Sequence, residues 1–268
     1  MTGRLVVCPT PIGNLEDVTL RALRELGEAD VVLCEDTRRT RVLLDRHGIS
    51  GRLMSFHRHN EAARTAKIVP RLQAGEKVAL ASDAGLPGVN DPGARLIAAA
   101  IDHGVPVTVL PGPSAVETAL VASGLVGERY TFLGYLPRAR DALTRLWGEL
   151  PEGTTVAFES PRRLPASLAS LAAAEPSRPV AVCRELTKRF EEVVRGSAAD
   201  VAARCTEAPK GEVTLVIGPG APQPKVDELE ASSVVSELVE AGIPRRRAAD
   251  VVARLTGLSK NRLYRDSL

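Results

Sequence analysis

The sequence predicts an α/β protein of two lobes, with a mostly parallel N-terminal sheet, a mixed C-terminal sheet and a small helical C-terminal tail. Three observations predict it. Short apolar runs alternate with helical periodicities through the first half, and strands apolar on both faces belong to a parallel sheet covered by helices. Beyond about residue 123 some strand-like runs follow one another on short links, which requires a mixed sheet. A stiff stretch, Pro219-Gly-Ala-Pro-Gln-Pro224, then leads into a helical segment. The expected divisions are residues 1–116, 117–220 and 225–268.

The elements follow in order. Leu5–Cys8 reads as a buried strand. Leu20, Leu23 and Leu26 lie at helical spacing, with Gly27 as a stop. Val31–Cys34 is the next strand, and Thr37–His47 a basic helix ended by Gly48. Asn60–Ala74 is a helix with Pro70 as a kink and Gly75 as terminator. Val78–Ala81 is a strand, Pro92–His103 a helix stopped by Gly104, and Val107–Leu110 a further strand. A helix runs from near Ser114 to Ser123-Gly124. Strands are expected at Tyr130–Leu133, Thr155–Phe158, Val180–Arg184, Val193–Arg195 and Glu212–Ile217, with helices at about 139–150, 161–174 and 197–205. The tail reads as Leu229–Ala241, Pro244–Leu255 with Gly257 after it, and a last turn from Ser259.

Composition narrows the function classes. The chain has 268 residues, of which 44% are apolar, enough for a substantial core. Aromatics are only 3%, which argues against an extended aromatic platform for single-stranded RNA. The net charge of +2 is too small for a protein that binds nucleic acid with its whole surface. The charge is uneven, however: from Arg245 onward seven cations face two anions, a net of +5, so the remainder carries −3. Cys8, Cys34, Cys183 and Cys205 form no C-x-x-C pair and read as small buried residues of a reducing compartment. The apolar stretch after Arg4 stops at Pro9, so no leader is expected, and no run approaches the roughly 20 apolar residues of a membrane span. A cytoplasmic protein with no membrane partner is the expectation.

In an open parallel sheet, ligands bind beyond the C-terminal strand ends. The segments there are Pro9-Thr-Pro-Ile-Gly-Asn14, Glu35-Asp-Thr-Arg-Arg39, Ser82–Gly93 and Pro111-Gly-Pro-Ser-Ala115. Gly85, Gly88 and Gly93 permit close backbone approach. Asp83 offers a carboxylate for ribose hydroxyls or a cationic group. Asp91-Pro92-Gly93 reads as a helix N-cap with proline at the first helical position. Ser114 opens a helix whose free N–H groups attract an anion. There is no G-x-x-x-x-G-K-[ST] loop and no G-x-G-x-x-G after the first strand, against a P-loop nucleotidase or an ordinary dinucleotide fold.

Ser82-Asp-Ala-Gly-x-Pro-x-x-x-Asp-Pro-Gly93, followed by Leu110-Pro-Gly-Pro-Ser-Ala115, resembles the tetrapyrrole-methylase superfamily. Four further stretches narrow the resemblance: Pro9–Asp17, Glu35–Thr40, Phe56–Glu61, and Cys183–Lys188 with Arg195-Gly196. Together they are similar to the ribosomal RNA small subunit methyltransferase I family, 2′-O-methyltransferases of a cytidine in the decoding region of 16S rRNA. The resemblance runs from Leu5 to about Gly218. It departs from the tetrapyrrole enzymes proper, which carry G-x-G-P-G-D-P after the first strand, and this weighs against a porphyrinoid substrate. Leu86 stands where the RNA members commonly have Thr.

The resemblance implies the two-lobed tetrapyrrole-methylase fold, S-adenosylmethionine as cofactor, no metal, 16S rRNA in the 30S subunit as partner, and a homodimer. It implies cofactor contacts from Pro11, Asp83, Leu86, Ser114 and Ala115, and from Phe158, Glu212 and Thr214 in the second lobe. Methylating a ribose hydroxyl calls for proton removal, worth roughly 10²–10⁴-fold. Glu35, Asp36, His57, Glu185 and Lys188 are candidates. Asp36 or Lys188 is the expected base, with Glu185 as its partner, and Lys188 qualifies only with a strongly depressed pKa. Arg38, Arg39 and Arg41 are placed to hold RNA phosphates. In the tail Arg245, Arg246, Arg247, Lys260 and Arg262 suggest an RNA-docking helical module. Two rivals stand beside this reading: a tetrapyrrole or diphthine-type methyltransferase, which turns over without RNA, and a non-enzymatic RNA-binding module, which binds no cofactor.

Overall fold

Alternation along the first strand sets the architecture. In β1 (Arg4–Cys8) Leu5 belongs to one apolar cluster, whereas Val6 and Cys8 belong to another. Side chains of period two thus bury both faces of one sheet. The structure is a computed structural model describing residues 3–220, 228–256 and 258–267. Contacts divide the chain into two compact units, Met1–Gly220 and Ala221–Leu268.

The first sheet contains β1, β2 (Val31–Cys34), β3 (Leu53–Ser55), β4 (Lys77–Ala81) and β5 (Val107–Val109), in the order β3-β2-β4-β1-β5. All its pairings are parallel. Helices α1 (Leu20–Gly27) and α2 (Thr37–Arg46) supply Ala22, Leu26 and Leu44 to one face. Helices α3 (Glu61–Gln73) and α4 (Ala94–Asp102) supply Ile68, Leu72 and Leu96 to the other. Neighbouring strands β1 and β4 therefore send their chains to opposite sides of the sheet. That is the condition for a crevice at their carboxyl ends.

The second sheet runs β6-β7-β10-β8-β9, from β6 (Tyr130–Tyr135), β7 (Thr154–Glu159), β8 (Pro179–Arg184), β9 (Glu192–Ser197) and β10 (Val213–Ile217). β6 and β7 pair in parallel and the other pairings are antiparallel, so this sheet is mixed as expected. Helices α6 (Arg140–Gly148), α7 (Leu164–Ala174) and α8 (Ala198–Arg204) cover one face. Helix α5 (Ala115–Ser123) covers the other, through Val116, Ala119 and Leu120. The same cluster takes in Ile12 and Ala84, from the loops after β1 and β4.

In the second unit α9 (Glu228–Glu240), α10 (Arg245–Thr256) and α11 (Lys260–Asp266) share a core of Ala231, Val235, Ala248, Ala249, Val252 and Leu263. The expected proline-rich linker beyond Gly220, and Gly257, lie outside the described residues.

The structure corrects two sequence readings. β3 was not foreseen. Asp91 does not cap α4: the helix begins two residues later than expected, with Gly93 at the N-cap at φ +138°. Glu61 takes over the capping, accepting from the Gly93 N–H at 2.9 Å and the Arg95 N–H at 3.3 Å. A carboxylate from α3 thus satisfies the donors that a local side chain was expected to meet.

Candidate functional site

The loops after β1 and β4 knit together at the crevice. Thr10 and Gly85 exchange backbone hydrogen bonds of 2.9 Å in both directions. The Thr10 hydroxyl donates to the Ser82 carbonyl at 3.0 Å, and the Ser82 hydroxyl to the Gly85 carbonyl at 2.8 Å. Gly112 presses against Pro9, since a Cβ there would lie 2.5 Å from the Pro9 ring. A cavity of about 330 Å³ opens beside these loops. That lies at the lower end of small-ligand sites.

Of the residues expected from sequence, Pro11, Asp83, Arg39, Lys188 and Glu212 line this cavity, joined by Ile12 and Ala84. The Asp83 carboxylate accepts the Asp36 backbone N–H at 2.9 Å and lies 3.8 Å from Arg39. Asp36 caps α2 through the Arg38 N–H and grips the Arg38 guanidinium at 3.1 and 2.9 Å. These bonds pull its carboxyl pKa down to about 2. Arg41, also on α2, donates to the Gly51 carbonyl beyond the helix at 3.2 Å.

Lys188 Nζ donates to Glu185 Oε1 at 2.8 Å and to Glu212 Oε2 at 2.9 Å. Burial lowers its pKa, but the bonds to Glu185 and Glu212 outweigh this and raise it above the ordinary lysine value. The depressed pKa that base catalysis by Lys188 would require is therefore not met; it stands in the wall as an ammonium. Its segment is constrained: Glu185 and Thr187 both hold positive φ, at +50° and +65°. Strain of this kind concentrates at functional sites.

The remaining expected cofactor residues lie around the cavity rather than in its wall. A Cβ on Gly85 would sit 3.7 Å from the Pro113 carbonyl, which brings the Ser114–Ala115 turn to the large loop. Ser114 makes no cap bond to α5; its hydroxyl donates to Glu117, whose carboxylate thereby occupies the first turn expected to attract an anion. Phe158 and Thr214 are partners across the β7–β10 ladder, and Thr214 is only 5% exposed. Leu86 is half-buried, and its carbonyl accepts from the Val89 N–H at 3.4 Å.

Sequence reasoning missed three features. Gly13 is wedged against the second lobe, where a Cβ would lie 2.5 Å from Lys188 Cγ and 2.9 Å from the Leu186 carbonyl. Beside it Arg46, Lys188 and Arg189, with Glu16, line an open groove of about 450 Å³ that shares Gly13 and Leu15 with the inner cavity. Third, burial, Glu35 and Asp83 push the Asp91 carboxyl up to about 6 from an ordinary 3.8. A carboxyl raised on folding costs stability once ionised, so the penalty is full above pH 6 and vanishes below about pH 4. Asp91→Asn is accordingly expected to raise the melting temperature at pH 7.5 and to match the parent at pH 4. A gain that persisted at pH 4 would contradict this assignment.

Cys8 and Cys183 are pushed up by burial to about 12 and 11, which leaves both thiols unreactive. In the second unit Arg246 and Arg247 are exposed, while Arg245 donates to the Ser267 carbonyl. Lys260 pairs with Asp250 at 2.6 Å, and Arg262 lies 3.7 Å from Asp266.

The cavity suits the ligand implied by the resemblance. Two carboxylates, Asp83 and Glu212, and two cations, Arg39 and Lys188, face a space with apolar walls at Pro11, Ile12 and Ala84. S-adenosylmethionine carries a carboxylate, an ammonium and a sulfonium together with an adenine ring whose faces are apolar, so wall and ligand correspond in chemistry.

Comparison with known proteins agrees. The family described as Tetrapyrrole (Corrin/Porphyrin) Methylases matches residues 4–202. A protein of Mesorhizobium japonicum named ribosomal RNA small subunit methyltransferase I is 45% identical over 266 residues, 97% of this chain and 90% of that protein. One of the same name from Mycobacterium bovis is 45% identical over 271 residues, 98% of this chain and 94% of its own. Among solved structures, uroporphyrin-III C-methyl transferase from Thermus thermophilus complexed with S-adenyl homocysteine superposes with a TM-score of 0.57. That likeness covers 81% of this chain and 97% of the other at 21% identity, and bears on fold alone. On fold, family match and relatives together, the chain belongs to the tetrapyrrole methylases and, within them, to the ribosomal RNA small subunit methyltransferase I family.

Proposed function

We propose that this protein uses S-adenosylmethionine to methylate the 2′-oxygen of a cytidine ribose in the decoding region of 16S rRNA within the 30S subunit. The observation that carries the reading is the charge-balanced cavity at the carboxyl ends of β1 and β4, closed by Lys188 and Glu212 of the second lobe. When bound, S-adenosylmethionine supplies a methyl group on a sulfonium, a leaving group that needs no further activation. Pro11, Asp83, Leu86, Ser114, Ala115, Phe158, Glu212 and Thr214 are the residues proposed to hold it, and positioning supplies much of the rate. The relatives' name supports the ribosomal substrate.

The chain must also take the proton from the ribose hydroxyl. Asp36 is the proposed acceptor. It is a weak base while Arg38 grips it, but Arg38 is 90% exposed and open to an RNA phosphate. A phosphate that draws Arg38 away restores basicity to Asp36 at the moment the substrate arrives. Lys188, held by Glu185 and Glu212, serves as a positioning cation at the cleft wall. Arg38, Arg39 and Arg41 form the proposed phosphate contacts beside the cleft.

The reading divides the chain into a cofactor-binding lobe over 1–116, a second lobe over 117–220 and an RNA-docking tail over 225–268, acting as a homodimer in the cytoplasm. Among the described residues no helix is long and apolar enough to cross a membrane. Deleting the chain after residue 224 is expected to weaken rRNA binding and flatten its salt dependence, each lost phosphate contact lowering the slope by about one. An unchanged slope would remove the docking role.

The test of the activity is labelled methyl transfer from S-adenosylmethionine to 30S subunits from cells lacking the protein, with mapping of the product. One 2′-O-methylated cytidine in the decoding region is the expected result. Cofactor binding without transfer would redirect the reading to a porphyrinoid or protein acceptor.

A further inference from the structure

The chain has eight aromatic residues besides histidine, and three of them meet in one place. Phe158, near the end of β7, receives Phe132 edge-on at 5.1 Å and Tyr135 at 5.6 Å, with interplanar angles of 70° and 63°. Phe132 and Phe158 are largely covered, whereas Tyr135 is 65% exposed. Tyr130, Phe190 and Tyr264 are exposed as well, but of these exposed rings only Tyr135 is held against another aromatic ring among the described residues.

Tyr135 ends β6 beside Phe158 in the parallel ladder, after a break in register between Phe132 and Tyr135. Gly134, just before it, holds φ +69°, and a Cβ there would lie 3.0 Å from the Asn90 side chain of the first lobe. The ring thus stands where the second lobe meets the large loop of the first. The tyrosine hydroxyl pKa is raised by burial and by Glu212, Asp91 and Glu159, drawn from both lobes. The backbone beyond the ring is also held: Arg163 donates to the Leu136 carbonyl at 2.8 Å and the Pro137 carbonyl at 3.1 Å.

We propose that Tyr135 is the stacking platform for the acceptor nucleobase, holding an unstacked base at the mouth of the cleft between the lobes. The proposal rests on the reading of RNA as acceptor. Sequence-specific recognition of RNA targets unstacked bases that splay out and stack on aromatic side chains, and a base held at the mouth of the cleft fixes where its own ribose lies. The exposed Tyr135 ring, at a strand end and held in T-shaped contact with Phe158, is such a surface, so little ordering remains to be done on binding.

The test compares the full-length protein with Tyr135→Ala and Tyr135→Phe. The probe is a short single-stranded RNA carrying one fluorescent cytidine analogue, whose emission falls on stacking. S-adenosylhomocysteine affinity and melting temperature are measured in parallel. The parent and Tyr135→Phe are expected to quench the probe equally. Tyr135→Ala is expected to lose the quenching and to bind about tenfold or more weakly, with cofactor affinity and melting temperature kept. Equal quenching by Tyr135→Ala would overturn the proposal. So would lost S-adenosylhomocysteine affinity, which would assign the ring to the cofactor. Tyr135-dependent quenching without methyl transfer to 30S subunits would leave the platform standing and sink the methylation reading. No quenching of the probe by the parent would overturn the platform, and transfer to 30S subunits would still decide the methylation reading separately.

Discussion

Replacing Arg163 with methionine is expected to lower the unfolding free energy by about 3–5 kcal/mol, the range for removing one partner of a buried ion pair. Glu159 has no side-chain exposure, and Arg163 is 28% exposed. Arg163 Nε donates to Glu159 Oε1 at 2.8 Å, and the Ser160 N–H reaches the same oxygen at 2.6 Å. The Ser167 hydroxyl takes the other carboxylate oxygen at 2.5 Å. Methionine keeps the aliphatic stem but strands the carboxylate away from water and frees the Leu136 and Pro137 carbonyls. Denaturation in urea measures the loss. A change below 1 kcal/mol would mean that the carboxylate finds other partners at little cost. The double variant Arg163→Met, Glu159→Leu should recover much of the stability, because the cost lies in the unpaired charge.

Gly13→Val should reduce kcat/KM for methyl transfer by about 100-fold, the scale on which ångström-level misplacement affects a reaction governed by positioning. The added Cβ would meet Lys188 Cγ at 2.5 Å, Thr187 Oγ1 at 2.7 Å and the Leu186 carbonyl at 2.9 Å. The lysine stem can swing away; the carbonyl cannot. The two walls of the cavity must part, and the bond from the Asn14 N–H to Thr187 Oγ1, now 3.0 Å, is lost with them. Gly13→Ala should fall between. Cofactor affinity by calorimetry and single-turnover rate separate binding from chemistry. A valine variant within threefold of the parent in both would show that the lobes tolerate separation.

The fold was legible where local chemistry decides it. Val31–Cys34, apolar at every position, has few destinations other than a covered strand, and it is fully buried in β2. β3 escaped notice because its three residues are only partly buried and sit at the sheet edge between Arg52 and Phe56. The start of α4 was misread because Glu61, thirty residues upstream, does what Asp91 was expected to do. The same distance problem hides the chemistry of the cleft. Glu185 lies close enough to Lys188 in sequence to suggest a pair, but nothing there announces Glu212 as a second carboxylate on the same ammonium, nor the burial that raises Asp91 with Glu35 and Asp83 beside it. The positive φ values at Glu185 and Thr187 are equally silent, since neither residue is glycine. Motifs located the cleft; folding assigned its charges.

The apolar cluster that joins Ile12 and Ala84 to α5 and the second sheet bears on how the chain can be divided. A break between the two lobes would split that cluster and leave each fragment with a raw apolar face, prone to aggregate rather than to fold. The first 220 residues should therefore melt as one cooperative block, with slow amide exchange spread across both sheets. The helical segment after residue 227 buries Val235, Ala248 and Val252 within its own core. Evolution can add, exchange or discard such a segment as a cassette, whereas new acceptors for the catalytic block must be won by reshaping its loops.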